Sequence, residues 1–498
     1  MKSILTKAKK LSNTAILFLL LAPAIVVFYG SYVFNPANMS NPLLYLMLVI
    51  ADAISMVSVM GLWFTILFDV LVPTHHEEIP MSKKTSFLRS KPKVDILITT
   101  AGEPIEIVRK TLEAALLVSY PHKTFVLDDA KSSEMKSLVE KTKAFYVIRE
   151  DNSFAKSGNV NNALKRASEG EFFIILDADQ IAKPNMIITL LPYMSDSSIA
   201  MVQSPQSFTN LNKFISFGTS QAQEVFYKYV CPAKNISNSA FSVGTNVMFR
   251  RSAIDGIGGI AEISHSEDIW TTLRLHEKGW KTLFIHEVLA QGLAPSTIQS
   301  YFKQQHRWAK GGFSMLFDSS PIFSSNLTLD QKIQYFLSNT FYLVGITNLI
   351  YLLFPIIYLL FGSTPLSTGS FANWFVHYLP YVVLYYGLNW LFLGKLHIAT
   401  ISVSISSFYP YITAFFSSLM KGKDTWVATS SKKRKRDPYM KWLWPHFLII
   451  ILTLLSLVIG WYNPGNYWAT LFYSILAIWN VYLLYVFITG EKRDVALN

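Results

Sequence analysis

Two strongly apolar blocks bracket a middle section of different texture. Apolar residues run almost unbroken at about 14–33 and 43–72, and again at 334–361, 372–395, 443–461 and 466–489. A helix needs ~20 consecutive apolar residues to cross a bilayer. Each run meets that length, and the second is long enough to tilt or to extend beyond the membrane. Between the blocks, from about 80 to 320, short apolar runs such as 94–98 and 172–176 alternate with helical patterns such as 103–119. Strands alternating with helices predict a mostly parallel sheet covered on both faces. Such sheets bind ligands at the carboxyl ends of their strands. The expected organisation is a membrane region at 1–79, an α/β domain at 80–330 ending in interfacial helices, and a second membrane region at 331–498.

Hydropathy leaves one stretch ambiguous. Residues 400–420 carry six serines (Ser402, Ser404, Ser406, Ser407, Ser417, Ser418) and Pro410. The loop that follows holds Lys421, Lys423, Lys432, Lys433, Arg434, Lys435 and Arg436. Positive loops stay on the cytoplasmic side. With 400–420 lying along that surface, the three outward loops, 34–42, 362–371 and 462–465, contain no charged residue. The expectation is therefore six crossing helices, with both termini and the α/β domain cytosolic, in the plasma membrane. A basic start followed by Ala22-Pro23-Ala24 also fits a cleaved signal peptide, but the apolar run continues through Ile25–Tyr29 and is read as a retained helix.

Composition agrees with a lipid environment. The 498 residues are 51% hydrophobic and 14% aromatic, with a mean hydropathy of +0.30. The single cysteine, Cys231, excludes an intramolecular disulfide and a cysteine-based zinc site. A net charge of +12 would suit nucleic acid, but much of it lies beside the apolar runs, so no nucleic-acid partner is expected.

Candidate chemistry collects at predicted strand ends. The strand at 124–127 ends in Asp128-Asp129, which could bind a base or ribose or merely cap the next helix. The strand at 172–176 runs into Asp177-Ala178-Asp179. In extended backbone, residues i and i+2 point the same way, so both carboxylates can face one Mg²⁺ or Mn²⁺; a solvated turn is the plain alternative. Lys156-Ser157-Gly158-Asn159 opens a helical pattern and suits a phosphate. Phe241–Asn246, with Gly244 and Thr245, is a small-residue turn that would let a sugar approach the backbone. Ser266-Glu267-Asp268 either caps a helix or supplies a carboxylate to deprotonate a hydroxyl. Gln304-Gln305-His306-Arg307-Trp308 combines an amide, a permanent charge suited to phosphate and a flat apolar ring, although an interfacial helix would carry similar anchors.

Five of these motifs, in this order over about 94–310, give the chain a close resemblance to processive family-2 glycosyltransferases, the group that includes cellulose, curdlan, chitin and hyaluronan synthases. The resemblance implies a GT-A-like α/β domain inserted between transmembrane helices. It implies nucleotide-sugar contacts from Thr100, Glu103, Asp128 (to uridine), Asp129, Lys156, Asp177 and Arg307, and a metal at Asp177 and Asp179. Asp268 would be the general base. Gly244, Thr245, Glu267, Gln304 and Trp308 would hold the acceptor. In the segment 421–441, Trp426-Val427-Ala428-Thr429 resembles a gating loop, with Trp426 and Thr429 its marker residues.

The chain departs from the family pattern in places. Thr99–Glu103 lacks the usual aromatic–Asn pair, Ser266 stands for Thr, and Val243 stands where cellulose synthases have Cys. About eight residues follow the last run, so a cyclic-di-GMP-binding domain is not expected. The implied partners are a UDP-sugar, the growing polysaccharide and the bilayer, with room for accessory secretion subunits or a homo-oligomer. UDP-glucose and a β-glucan are the expected donor and product. Alternatives are a UDP-GlcNAc or two-donor synthase, a non-processive transferase acting on a lipid phosphate, and a transporter. The runs hold Asp52 and Asp69 but few other charges, which argues against the transporter.

Overall fold

The computed structural model describes residues 11–72, 81–263, 266–318, 320–367, 371–420, 439–462 and 465–495. The chain opens with helix α1 (Asn13–Val33) and helix α2 (Pro42–Leu71), the latter interrupted by one wide turn at Met56–Met60. A mixed seven-stranded sheet follows.

In chain order the strands are β1 (Val94–Thr100), β2 (His122–Asp128), β3 (Phe145–Val147), β4 (Phe172–Asp177), β5 (Ile181–Ala182), β6 (Ile199–Gln203), β7 (Val247–Arg250), β8 (Lys281–Phe284) and β9 (Ala290–Gln291). The main sheet runs β3-β2-β1-β4-β7-β6-β8, and β5 pairs with β9 apart from it. Strands β1 to β4 are parallel, whereas β7 runs antiparallel to both β4 and β6. The apolar run in β1 is buried along its whole length because both sheet faces are covered. Alternation sends Ile96 and Ile98 to one face, against helix α3 (Ile105–Leu116), and Leu97 to the other, against helix α4 (Ala155–Arg166). Asp95 breaks the apolar run, and its carboxylate is satisfied by the Ser168 hydroxyl (2.7 Å) and the N–H groups of Glu169 and Gly170.

Register does the positioning. Thr100 lies opposite Asp128, and Thr99 opposite Asp177, so the ends of β1, β2 and β4 form one edge. The rim is completed by helices α5 (Phe214–Val225), α6 (Glu267–Glu277) and α7 (Ile298–Asp318). Beyond them come α8 (Leu329–Phe361), α9 (Phe371–Leu393), α10 (Ile398–Ser406), α11 (Phe408–Leu419), α12 (Tyr439–Tyr462) and α13 (Tyr467–Gly490).

Among the described residues six stretches are long and apolar enough to cross a membrane: α1, α2, α8, the α10–α11 stretch Ile398–Leu419, Met440–Tyr462 and α13. This set differs from the expectation at one place. It includes Ile398–Leu419, expected to be interfacial, and omits α9, whose Asn373, His377, Asn389 and five tyrosines and tryptophans in 374–386 dilute its apolarity. Ile398–Leu419 is not one straight helix: it breaks at Ser407, and its halves pack on α5 and α7, the rim of the sheet domain. Helix α9 lies along α1, and α8 lies between α2 and the α12–α13 pair.

Candidate active site

Each motif reaches the sheet edge by a local device. At the end of β1, the Thr100 hydroxyl (2.7 Å) and the Ala101 N–H (2.6 Å) both donate to Glu103 Oε2, which ties the loop across the cleft floor. At the end of β2 the two aspartates part company. Asp128 is buried and accepts from the N–H groups of Ala130 (2.9 Å) and Ser132 (2.8 Å) and from the Tyr146 hydroxyl (2.9 Å). It does not line the cleft, so the direct uridine contact expected of it is not what this geometry offers: its oxygens are committed to the 129–132 turn. Asp129 does line the cleft, and Arg149 holds it in a two-pronged pair, both bonds 2.7 Å.

Arg149 carries no sequence motif. It also donates to the carbonyls of Ser153 (2.5 Å) and Ala155 (2.7 Å). These bonds pin two consecutive residues in the left-handed region, Phe154 (φ 59°) and Ala155 (φ 45°), a conformation that costs ~1–3 kcal/mol per residue and persists only when its surroundings impose it. The strained pair starts α4 and turns Lys156 into the cleft. Lys156 Nζ pairs with Asp177 Oδ1 and donates to the Gly244 carbonyl at 2.7 Å. Burial pulls Lys156 down, but Asp177, Glu267 and Asp268 together outweigh it and hold the ammonium above its ordinary range.

Asp177 and Asp179 both face the cavity. The Thr245 hydroxyl oxygen accepts from the Asp177 N–H (3.0 Å), and Asp179 accepts from the Leu293 N–H (3.1 Å). Burial, then repulsion from Asp177, push Asp179 up to about 6. Two carboxylates in mutual repulsion suit a hard divalent cation that keeps part of its own water shell. Among the described residues no group of three or more His, Cys, Asp or Glu forms a fuller ligand set.

The wall beside these carboxylates is built against the same strand. Gly244 (φ +86°) turns the chain into β7 where an L side chain would be strained. A Cβ there would sit 3.2 Å from Asp268 Oδ2 and 3.7 Å from Lys156 Nζ. Asp268 sits in the first turn of α6. Enclosure by the domain, then the adjacent Glu267, push its carboxyl up to about 7, against the opposing pull of the Ile269 N–H and Lys156. Burial also raises Glu267, opposed by Lys156 and Arg307.

Helix α7 closes the far wall with Gln304, Arg307 and Trp308 lining the cavity. It can lie this close because residue 311 is glycine: a Cβ there would fall 1.7 Å from Ser266 Oγ. Gln305 accepts from the Tyr411 hydroxyl (2.8 Å), fastening α7 to α11. Thus Glu103, Asp129, Lys156, Asp177, Asp179, Gly244, Glu267, Asp268, Gln304, Arg307 and Trp308 face one cavity, together with Thr100. Thr245 backs the wall through Asp177. Trp426 and Thr429 lie outside the described residues.

The cavity, about 2220 Å³, does not stop at the domain. It continues along Trp63, Tyr351, Tyr378, Tyr381 and Tyr385 to Gly362, Thr364, Gly465 and Asn466, at the opposite ends of the membrane-type helices.

Residues 172–394 match the family described as Glycosyl transferase family group 2. The chain is 31% identical over 319 residues to a cellulose synthase 1 catalytic subunit (UDP-forming) of Komagataeibacter xylinus, covering 61% of this chain and 42% of the relative. It is 29% identical over 297 residues to a cellulose synthase catalytic subunit (UDP-forming) of Pseudomonas fluorescens, covering 57% and 40%. The match therefore spans under half the length of these curated relatives. A mannosyltransferase from Pyrobaculum calidifontis, solved with GDP-Man and Mn²⁺, superposes with a TM-score of 0.50 at 14% identity, covering 75% of this chain and 99% of that one, and shares the fold. The ordered motifs, the mixed sheet and these matches make the sheet domain similar to the GT-A-like domains of family-2 glycosyltransferases such as the bacterial cellulose synthases, and in this chain that domain is flanked by helices long and apolar enough to cross a membrane.

Proposed function

We propose that this protein is a processive, inverting polysaccharide synthase that uses UDP-glucose to extend a β-glucan and passes the product through its membrane helices. The supporting observation is the single cavity that joins Asp177, Asp268 and Trp308 to the far helix ends at Gly362 and Asn466. A transferase that released each product would have no need of such a passage. The similarity to UDP-forming cellulose synthases supports the donor.

In this reading the acceptor's terminal hydroxyl lies between Asp268 and Trp308. Asp268 takes its proton, the freed oxygen bonds to the anomeric carbon from the face opposite the nucleotide, and the bond to UDP breaks. A base of pKa about 7 is suited to that transfer near neutrality. Lys156 and Arg307 face the electrons that collect on the departing diphosphate. A divalent cation held by Asp177 and Asp179 would neutralise further charge there. Gly244 leaves the space beside Asp268 open, and the Trp308 ring offers a surface to the acceptor sugar. We place the sheet domain in the cytosol, with 400–420 lying on the cytosolic side of the membrane.

The test is UDP release from purified protein over a panel of UDP-sugars with Mg²⁺ or Mn²⁺, with Asp268→Asn as control. Turnover with UDP-glucose that is lost in the control and gives a glucanase-sensitive polymer is expected. Turnover only with another donor, or only with two together, overturns the substrate. Release that needs an added lipid phosphate and gives no polymer overturns the synthase reading.

A further inference from the structure

The Asp52 carboxylate is built into the membrane region without a place in the chemistry. Asp52 lies in α2, ten residues beyond Pro42 and so ~15 Å along the helix axis. It is completely buried, in surroundings where a carboxylate is costly and is kept for a reason. Both its oxygens are used: Tyr29 donates to Oδ2 at 3.0 Å and Tyr351 to Oδ1. Both tyrosines line the long cavity, so Asp52 stands one layer behind its wall. From Tyr29 the rings continue around the wall. Tyr381 stacks on it at 4.7 Å, Tyr378 lies at 5.9 Å, and Trp374 stacks on Tyr378 at 4.6 Å.

We propose that Asp52, acting through Tyr29 and Tyr351, builds a pyranose-binding station midway along the membrane passage, and that this station admits uncharged polymer and rejects polymer bearing uronic acids. Two arguments carry it. A tyrosine hydroxyl that gives its hydrogen to a carboxylate has only lone pairs left to offer, and the charge strengthens them as acceptors. The station thus presents flat rings and hydrogen-bond acceptors, the complement of a sugar's C–H face and its hydroxyl donors. The second argument is charge. Among the described residues lining the cavity, the only cations are Lys156 and Arg307, both at the sheet domain. A uronate passing Asp52 would meet a like charge in a low-dielectric wall with no cation to offset it.

The inference rests on the reading that the cavity carries polysaccharide, and the assay separates the two. Full-length protein in nanodiscs is titrated with fluorescent cellohexaose and fluorescent hexagalacturonate, and product length is measured during synthesis. Cellohexaose should bind about tenfold or more tightly than the uronate. In Asp52→Asn that ratio should shrink to about threefold or less, and the product should shorten. Tyr351→Phe, which retains the carboxylate, should shorten the product and leave the ratio standing. Equal binding of both probes to the wild type overturns the proposal, as does a ratio unmoved in Asp52→Asn. Should that variant not fold, unaltered product length in Tyr351→Phe overturns it. Absence of UDP release from the wild type with every donor would instead sink the synthase reading.

Discussion

Lowering the pH is the most direct challenge to Asp268 as the base. With its carboxyl at about 7, the ionised fraction is about 0.9 at pH 8 and about 0.1 at pH 6, so kcat/KM for UDP release should fall roughly tenfold between them. The cause of the shift offers a second handle. After enclosure, the largest contribution is the charge of Glu267, and replacing it by glutamine should lower the apparent pKa by about 1 unit, or ~1.4 kcal/mol. In Glu267→Gln about half of Asp268 is then ionised at pH 6, and the loss across the same interval shrinks to about twofold. Each enzyme is compared with its own rate at pH 8, so a change in overall activity does not enter. The assay must be run at saturating Mg²⁺ or Mn²⁺, because Asp179, pushed up to about 6, would otherwise add its own limb. A profile flat from pH 5.5 to 8.5, or an acid limb that Glu267→Gln leaves in place, would refute the assignment.

Three further outcomes follow from the same geometry. Gly244→Ala adds a strained Cβ 3.2 Å from Asp268 Oδ2 and should lower kcat about 100-fold or more, while UDP binding, read by calorimetry, changes little. Arg149→Met leaves Asp129 buried and unpaired and frees the strained 154–155 turn, so it should cost about 3–5 kcal/mol of stability and weaken UDP binding, both measurable on detergent-solubilised protein. Asp268→Asn should raise the melting temperature at pH 8 but not at pH 4. The folded carboxyl, at about 7, binds its proton more tightly than the ordinary group at 3.8, so the native protein loses stability as pH rises between those values and the variant escapes that loss.

Much of the site was legible because strand ends are local features. Apolar runs at 94–98, 124–127 and 172–176 place Thr100, Asp129 and Asp177 at their carboxyl ends, and parallel register then brings them together. Which of two adjacent aspartates faces the cleft was not legible, since it depends on Tyr146, a partner 18 residues away on another strand. Arg149 was missed for the same reason: its carboxylate partner is 20 residues distant, and no spacing marks it. Nothing in the spacing of the aromatics of 372–395 separates rings that face lipid from rings that face a passage. Only the packing of α9 along α1 sets Tyr381 on Tyr29. The proximity of α7 to Ser266 hung on one small residue, Gly311, within a helix whose pattern would tolerate alanine.

The pairing of β4 with β7 bears on how such an enzyme could be redesigned. The Asn246 N–H donates to the Ile175 carbonyl (2.9 Å), and Thr245 Oγ1 accepts from the Asp177 N–H, so the Asp177–Asp179 segment and the 244–246 turn, proposed above to serve donor and acceptor, are tied directly to each other at the end of the β4–β7 pairing. Residues that share a bonded framework do not contribute independently. Altering sugar preference on one side alone would shift the other, and libraries that vary 177–179 and 244–246 together should yield active variants that neither segment reaches by itself.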